Sequence, residues 1–197
     1  MVKILGLLRM KHKTYSVILL PLFFFIYVYG NPDYSLEEAH KVLRLIEKVQ
    51  KEQLKPNVRK LRKVIVTESE LNSYIAFRIE TEKEEVMKEL HLKLFKDNTI
   101  EGKIFVDLRG QKLKKFLRPE MNLYFGGRIE VKDSRVRLAI KDLFLEDQPV
   151  QPMVLDLIIL IASRIDKTEA SSINDWYDLP YGIKDIKTDR EKAAFYY

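Results

Sequence analysis

Apolar and polar residues alternate through the middle of the chain, which is the pattern of β-strands with one buried face. The alternating stretches are residues 90–95, 100–108, 121–131 and 136–145. Turn-forming pairs, Asp97-Asn98 and Asp133-Ser134, follow the first and the third stretch. Glycine falls inside two stretches, and the alternation slips near Lys141. Because such glycines and slips let a sheet bend, the pattern predicts a curved antiparallel sheet.

A continuous apolar run, Met153–Ile165, follows the last of these strands and is interrupted only by Asp156, Ser163 and Arg164. A helix that is apolar on nearly every face is expected to be buried on nearly every face. At about 1.5 Å per residue it spans roughly 20 Å, which is too short for a bilayer core. We therefore predict an α+β fold in which a curved antiparallel sheet of about six strands wraps around the apolar helix 153–165.

Two further helices are predicted before the sheet, each with the spacing of a capping box. Ser35-Leu-Glu-Glu38 and Thr67-Glu-Ser-Glu70 both place a hydroxyl at the N-cap and a carboxylate three residues later. A short strand at 64–66 precedes the second of these helices. The segments 183–187 and 193–197 are expected to form a closing hairpin.

Residues 1–30 have the character of an export signal. A basic portion ends at Lys13, and the apolar stretch Val17–Tyr29 is short for a membrane span. Val28 and Gly30 are small enough for a cleavage site, so we expect cleavage after Gly30 and a single α+β domain over residues 31–197. The alternative is an uncleaved N-terminal anchor. Both interpretations place the body of the protein in the periplasm or the cell envelope.

The net charge of +6 belongs mostly to this N-terminal segment, which carries four basic residues and no acid and leaves +2 for the rest. Two basic stretches remain, 55–63 and 112–118, and neither has the interleaved aromatic residues of a nucleic-acid platform. We therefore expect no nucleic-acid binding. The stretch 55–63 is interpreted as a solvated connector, with a contact to an anionic membrane surface as the alternative.

Residues for catalysis or metal binding do not form a recognisable pattern. The chain has no cysteine, and its three histidines, His12, His40 and His91, lack partners at metal-ligand spacing. No nucleophile elbow or phosphate-binding loop is present. Asp156 is interpreted as an acid in the first helical turn, or else as a polar contact at a cavity mouth. We expect neither an enzyme nor a bound cofactor or metal.

A family resemblance rests on the order of several segments. A signal segment, then Thr67-Glu-Ser-Glu-Leu-Asn-Ser-Tyr74, long alternating strands, an apolar helix and Leu179-Pro-Tyr-Gly-Ile183 follow one another. This order resembles exported bacterial proteins of the LmeA-like type, which are similar to tubular lipid-binding domains, over about residues 60–197. The resemblance implies binding of phospholipid or another hydrophobic ligand in the envelope. The chain departs from that family in being short, which leaves little room for a long tunnel.

The predicted site combines the apolar helix with aromatic residues near it, whose ordinary alternative role is core packing. The residues expected to contact lipid are Leu157, Ile158, Ile161, Tyr124, Phe125 and Trp176. The residues expected to hold a head group are Lys112, Lys114, Lys115 and Arg118. The alternative function is a structural or interaction module that binds an envelope protein through an apolar and aromatic surface. An apolar cavity open to solvent would favour lipid binding, whereas a filled core with an exposed apolar patch would favour a protein partner.

Overall fold

The strands of the computed structural model pair into two antiparallel sheets. The structure describes residues 34–53, 61–111, 117–166, 169 and 171–197. The described strands are β1 (Lys63–Thr67), β2 (Met87–Leu94), β3 (Thr99–Asp107), β4 (Glu120–Lys132), β5 (Arg135–Leu145), β6 (Gln148–Pro149), β7 (Tyr177–Asp178), β8 (Asp185–Asp189) and β9 (Lys192–Tyr196). The described helices are α1 (Leu36–Gln53), α2 (Glu68–Glu82) and α3 (Met153–Asp166), with a 3-10 turn at Pro180–Gly182.

The larger sheet has the strand order β2-β3-β4-β5-β6, and β7 pairs with the opposite end of β5. It is strongly curled into a half-barrel, so the predicted α+β fold with a curved antiparallel sheet is confirmed. The closing hairpin also forms, but β9 pairs with β1 in a separate three-stranded sheet of order β1-β9-β8. The predicted turns hold as well, since Asp97, Asn98, Asp133 and Ser134 all have positive φ angles of 52–59°.

Close contact at two glycines accounts for the curl of the larger sheet. Gly102 of β3 lies opposite Phe125 of β4, and a Cβ atom at Gly102 would lie 2.3 Å from Phe125 Cζ. A Cβ atom at Gly127 would lie 2.7 Å from the carbonyl oxygen of Ala139. The register also shifts at Gly127, which leaves Lys141 as the extra residue of a β-bulge. The predicted slip near Lys141 is thus confirmed.

Helix α3 lies in the concave face of this sheet, as predicted. Leu155 and Ile158 are each 5% exposed and belong to the apolar cluster that the strands form. Met153, in contrast, is 72% exposed. The half-buried members of the helix include Leu157, Leu160 and Ile161. The expectation of burial on nearly every face is therefore wrong, because a half-barrel covers only the side of the helix that faces it.

Helices α1 and α2 begin where the capping residues predict. Both bonds of the second capping box form, since the Glu70 amide donates to Thr67 Oγ1 and the Thr67 amide donates to Glu70 Oε2. Glu70 also forms a salt bridge with Lys41 of α1. Burial by itself raises the pKa of Glu70, but the hydrogen bonds from Lys41 and Thr67 outweigh it, so the pKa is lowered.

The first capping box forms only in part. The Glu38 amide donates to Ser35 Oγ at 3.3 Å, as predicted. The Glu38 carboxylate accepts hydrogen bonds from Ser69 and Ser73 of α2 instead of closing the box, at 2.7 and 2.8 Å. The carboxylate therefore joins α1 to α2 rather than capping its own helix.

Helix α2 covers the free edge of β2. The Asn72 side chain donates to the Leu92 carbonyl and accepts from the Leu92 amide, both at 2.8 Å. The Glu68 carboxylate accepts from the Leu94 amide at 2.6 Å. These contacts satisfy backbone groups that an exposed edge strand would leave open to other chains.

Among the described helices, none combines the length and apolarity needed to cross a membrane. The predicted export segment, residues 1–30, lies outside the described residues, as do Lys112, Lys114 and Lys115.

We predict that Ile158→Ala lowers the free energy of unfolding by about 2–5 kcal/mol, because it removes a buried side chain and leaves a void. Met153→Ala, on the exposed face of the same helix, is the control and should change it by less than about 0.5 kcal/mol. Urea unfolding measures both. Equal losses for the two variants would contradict the one-sided burial of α3.

Candidate ligand-binding site

An apolar cavity of about 510 Å³ lies between the concave face of the larger sheet and helix α3. This volume is within the range of about 300–1,000 Å³ that is usual for small-molecule pockets. Its walls come from the inward residues of β2, β3, β4 and β5 and from one side of the helix. Representative lining residues are Leu92, Ile104, Leu123, Leu138, Ile158 and Ala162.

The alternation of the strands makes the cavity apolar. Successive side chains of a strand point to opposite faces of the sheet, so every second residue of β4 faces inward. Leu123 and Phe125 of that strand are buried and line the cavity. The Phe125 ring occupies the space that a side chain at Gly102 would need.

Four polar residues line the same cavity, namely Glu84, Ser163, Glu169 and Ser171. Glu84 is half-buried and follows α2, and Glu169 is exposed and follows α3. Ser163 is buried within α3 and donates its hydroxyl to the Leu160 carbonyl at 3.0 Å. The cavity is therefore apolar over most of its wall, and its polar residues come from α3 and from the segments that follow α2 and α3.

Asp156 holds one wall of the cavity in place. Its Oδ1 atom accepts hydrogen bonds from the Ser172 hydroxyl and the Ile173 amide, both at 2.9 Å. Ile173 lines the cavity, so the carboxylate connects this segment to the first turn of α3. Asp156 lies in the first turn of α3, as the sequence predicted, and its hydrogen bonds to Ser172 and Ile173 add a contact that the sequence did not predict.

The structure brings together only part of the predicted lipid-contacting set. Phe125 and Ile158 line the cavity. Ile161 packs against the apolar cluster without lining the cavity. Leu157 is half-buried and also packs against the cluster, but it lines a different depression, of about 580 Å³, together with Met153 and Leu160 on the more exposed side of α3.

The two remaining aromatic residues of the set lie elsewhere. Tyr124 is 41% exposed on the convex face, beside Phe144 and opposite to its neighbour Phe125. Strand alternation alone was sufficient to place Tyr124 and Phe125 on opposite faces. The ring of Trp176 lies under the guanidinium group of Arg137, with 4.8 Å between Cζ and the ring centroid.

One of the four predicted head-group residues, Arg118, is among the described residues. Arg118 is exposed and does not line the cavity. The other three lie outside the described residues. Sequence reasoning missed Glu84, Ser171 and Ile173, because these residues lie in connecting segments without a periodic pattern.

A second apolar cavity, of about 340 Å³, lies between α1, α2 and the smaller sheet. Its one described cation, Arg78, forms a salt bridge with Glu82 and donates to the Tyr74 hydroxyl at 2.8 Å. The guanidinium group is thus already bound by its own helix. The sequence did not predict this cavity, since its walls come from segments far apart in the chain.

In the described part of the chain, no group of three His, Asp or Glu side chains is arranged to hold a metal ion. His91 is exposed on a strand, as its position predicted.

No protein-family model matches the chain. No curated protein matches it at a significant level. The resemblance to LmeA-like proteins therefore stays a prediction.

We predict that Asp156→Ala releases the segment around Ile173 and lowers the free energy of unfolding by about 1.5–3 kcal/mol, as expected for hydrogen bonds to a charged acceptor. Hydrogen exchange of the Ile173 amide should become faster. Asp156→Asn retains an acceptor oxygen and should keep part of the protection. If both variants lost protection equally, the negative charge near the helix start, rather than the hydrogen bonds, would be responsible.

Proposed function

We propose that this protein binds a lipid or another hydrophobic ligand in the cavity under α3 and catalyses no reaction on it. The observation that carries the proposal is the cavity itself, about 510 Å³ in volume and lined mainly by aliphatic side chains. Transfer of a hydrocarbon chain from water into such a space contributes about 0.8 kcal/mol for each buried methylene group. A chain of several methylene groups would therefore bind without any strong polar contact.

We also propose that the protein is exported to a bacterial cell envelope. The support is the sequence pattern of residues 1–30, in which a basic portion precedes a short apolar stretch and a small-residue site. A lipid-binding domain in the envelope would meet its ligand at the membrane surface. The predicted head-group contact of Lys112, Lys114, Lys115 and Arg118 is retained as a prediction.

The alternative function, binding of an envelope protein, is favoured by a different feature. The outward side of α3 exposes Met153, and the depression beside it is lined by Val154, Leu157 and Leu160. Exposed apolar surface of this kind is typical of interaction sites. The structure thus has an open apolar cavity and, separately, an exposed apolar patch beside Met153, and the variants below distinguish the two functions.

We predict that Ala162→Trp, which places a large ring inside the cavity, lowers the affinity for a fluorescent phospholipid or fatty-acyl probe at least tenfold. Leu157→Trp is the matched control, because it lies on the outward side of the same helix and should change the affinity by less than about twofold. Circular dichroism and urea unfolding establish that both variants are folded. If Leu157→Trp lowered the affinity and Ala162→Trp did not, the ligand would bind in the depression that Leu157 lines instead of in the cavity. If neither probe nor co-purified lipid binds the folded protein at micromolar concentrations, protein binding becomes the leading function.

We further predict that the mature protein begins at Asn31, which intact mass spectrometry of the protein expressed in a bacterial host would show. A chain that retains residues 1–30 in the membrane fraction would favour the anchor alternative. A full-length chain in the cytosol would contradict export.

A further inference from the structure

We infer that the cavity under α3 selects amphiphiles whose polar end donates hydrogen bonds and carries no negative charge, such as a hydroxyl or an amine. This inference rests on the proposed ligand-binding function and adds the chemical class of the ligand. It differs from the sequence-based expectation of a head group held by basic residues.

The first observation is the charge of the cavity lining. Its charged residues in the described part of the chain are Glu84 and Glu169, and no described lysine or arginine lines it. The nearby Lys88 does not offset Glu84 directly, because its ammonium group donates to the Glu84 backbone carbonyl, at 2.6 Å, rather than to the carboxylate. An anionic head group at this lining would meet charge of its own sign.

The second observation is the direction of the hydrogen bonds. The Ser163 hydroxyl donates its single hydrogen to the Leu160 carbonyl, so it presents only lone pairs to the cavity. Carboxylates are likewise acceptors only. Three of the four described polar lining residues, Ser163, Glu84 and Glu169, therefore favour a ligand that brings the donors, and an ionised carboxylate or a fully ionised phosphate brings none. The exposed Ser171 hydroxyl can donate as well as accept.

The expected size of the effect follows from Coulomb's law. Two unit charges about 4 Å apart in water interact by an energy that corresponds to roughly a fivefold change in affinity. Interactions of partly exposed charges are screened by salt, so the preference should fall as the ionic strength rises. Binding of an uncharged hydroxyl head group should depend little on salt.

The test compares three ligands that share one hydrocarbon chain, namely dodecylamine, 1-monododecanoylglycerol and dodecanoate. Isothermal titration of the full chain at low salt, below the micelle concentrations, gives the three affinities. We expect the amine and the monoacylglycerol to bind at least fivefold more tightly than dodecanoate. The variant Glu84→Gln with Glu169→Gln should lower the ratio of amine to dodecanoate affinity at least fivefold. Glu85→Gln, the exposed neighbour that does not line the cavity, should leave all three affinities unchanged.

The outcomes separate this inference from the function on which it rests. If dodecanoate binds as tightly as the other two, the inference is wrong and the ligand-binding function stands. If the double variant keeps the preference of the wild type, the carboxylates are not its cause and the inference is equally wrong. If none of the three ligands binds the folded protein, the proposed function fails and the inference fails with it.

Discussion

The contact between the Phe125 ring and the backbone of Gly102 is the constraint on which the rest of this domain depends. A Cβ atom at Gly102 would lie 2.3 Å from the ring, so any other residue would force the two strands or the ring to move. Gly127 permits a comparable approach to the Ala139 carbonyl beside the bulge. Together these contacts let the sheet curl. A flat sheet would have no concave face and no space under a covering helix.

A half-barrel leaves two strand edges and one face of the sheet open, and the remaining features of the fold follow from this. Its first edge, β2, is covered by Asn72 and Glu68 of α2, which bond to the backbone of Leu92 and Leu94. At the other side, the strands that pair with β5 beyond β4 in the described part of the chain are two short ones, β6 and β7. One helix covers the opening, so its inward side packs while Met153 stays exposed. The cavity and the exposed apolar surface thus have a common origin.

The two faces of the sheet differ in chemistry because their residues alternate along each strand. The concave face carries aliphatic side chains, whereas the convex face carries Tyr124 and Phe144 among charged side chains such as Lys103 and Asp142. Polar groups reach the cavity through α3 and through the segments that follow helices, and they are mainly hydrogen-bond acceptors. This arrangement supports a binding function in which the apolar wall supplies affinity and the acceptors select the polar end of the ligand.

The sequence by itself determined what depends on neighbours a few residues apart. The strand alternation, the Asp97-Asn98 turn, the Thr67–Glu70 capping box and the bulge at Lys141 were all predictable, because each is a local pattern with a local physical cause. Phe125 and Ile158, which were predicted to contact lipid, lie in the apolar interior and line the cavity. Their contact with lipid stays a prediction. Tyr124 was grouped with them although the alternation already separated it from Phe125.

Only the tertiary structure decided which side of α3 is covered and which groups meet at the cavity. A helix that is apolar all round gives no sign of its inward side, so the positions of Leu157 and Ile161 depended on where the half-barrel ends. The Asp156 carboxylate meets the Ile173 amide, seventeen residues later, only because the chain returns across the helix. Glu84 and Glu169 likewise line one cavity, although Glu84 precedes β2 and Glu169 follows α3 in the chain. Contacts of this kind depend on the topology of the chain, which no local sequence pattern encodes.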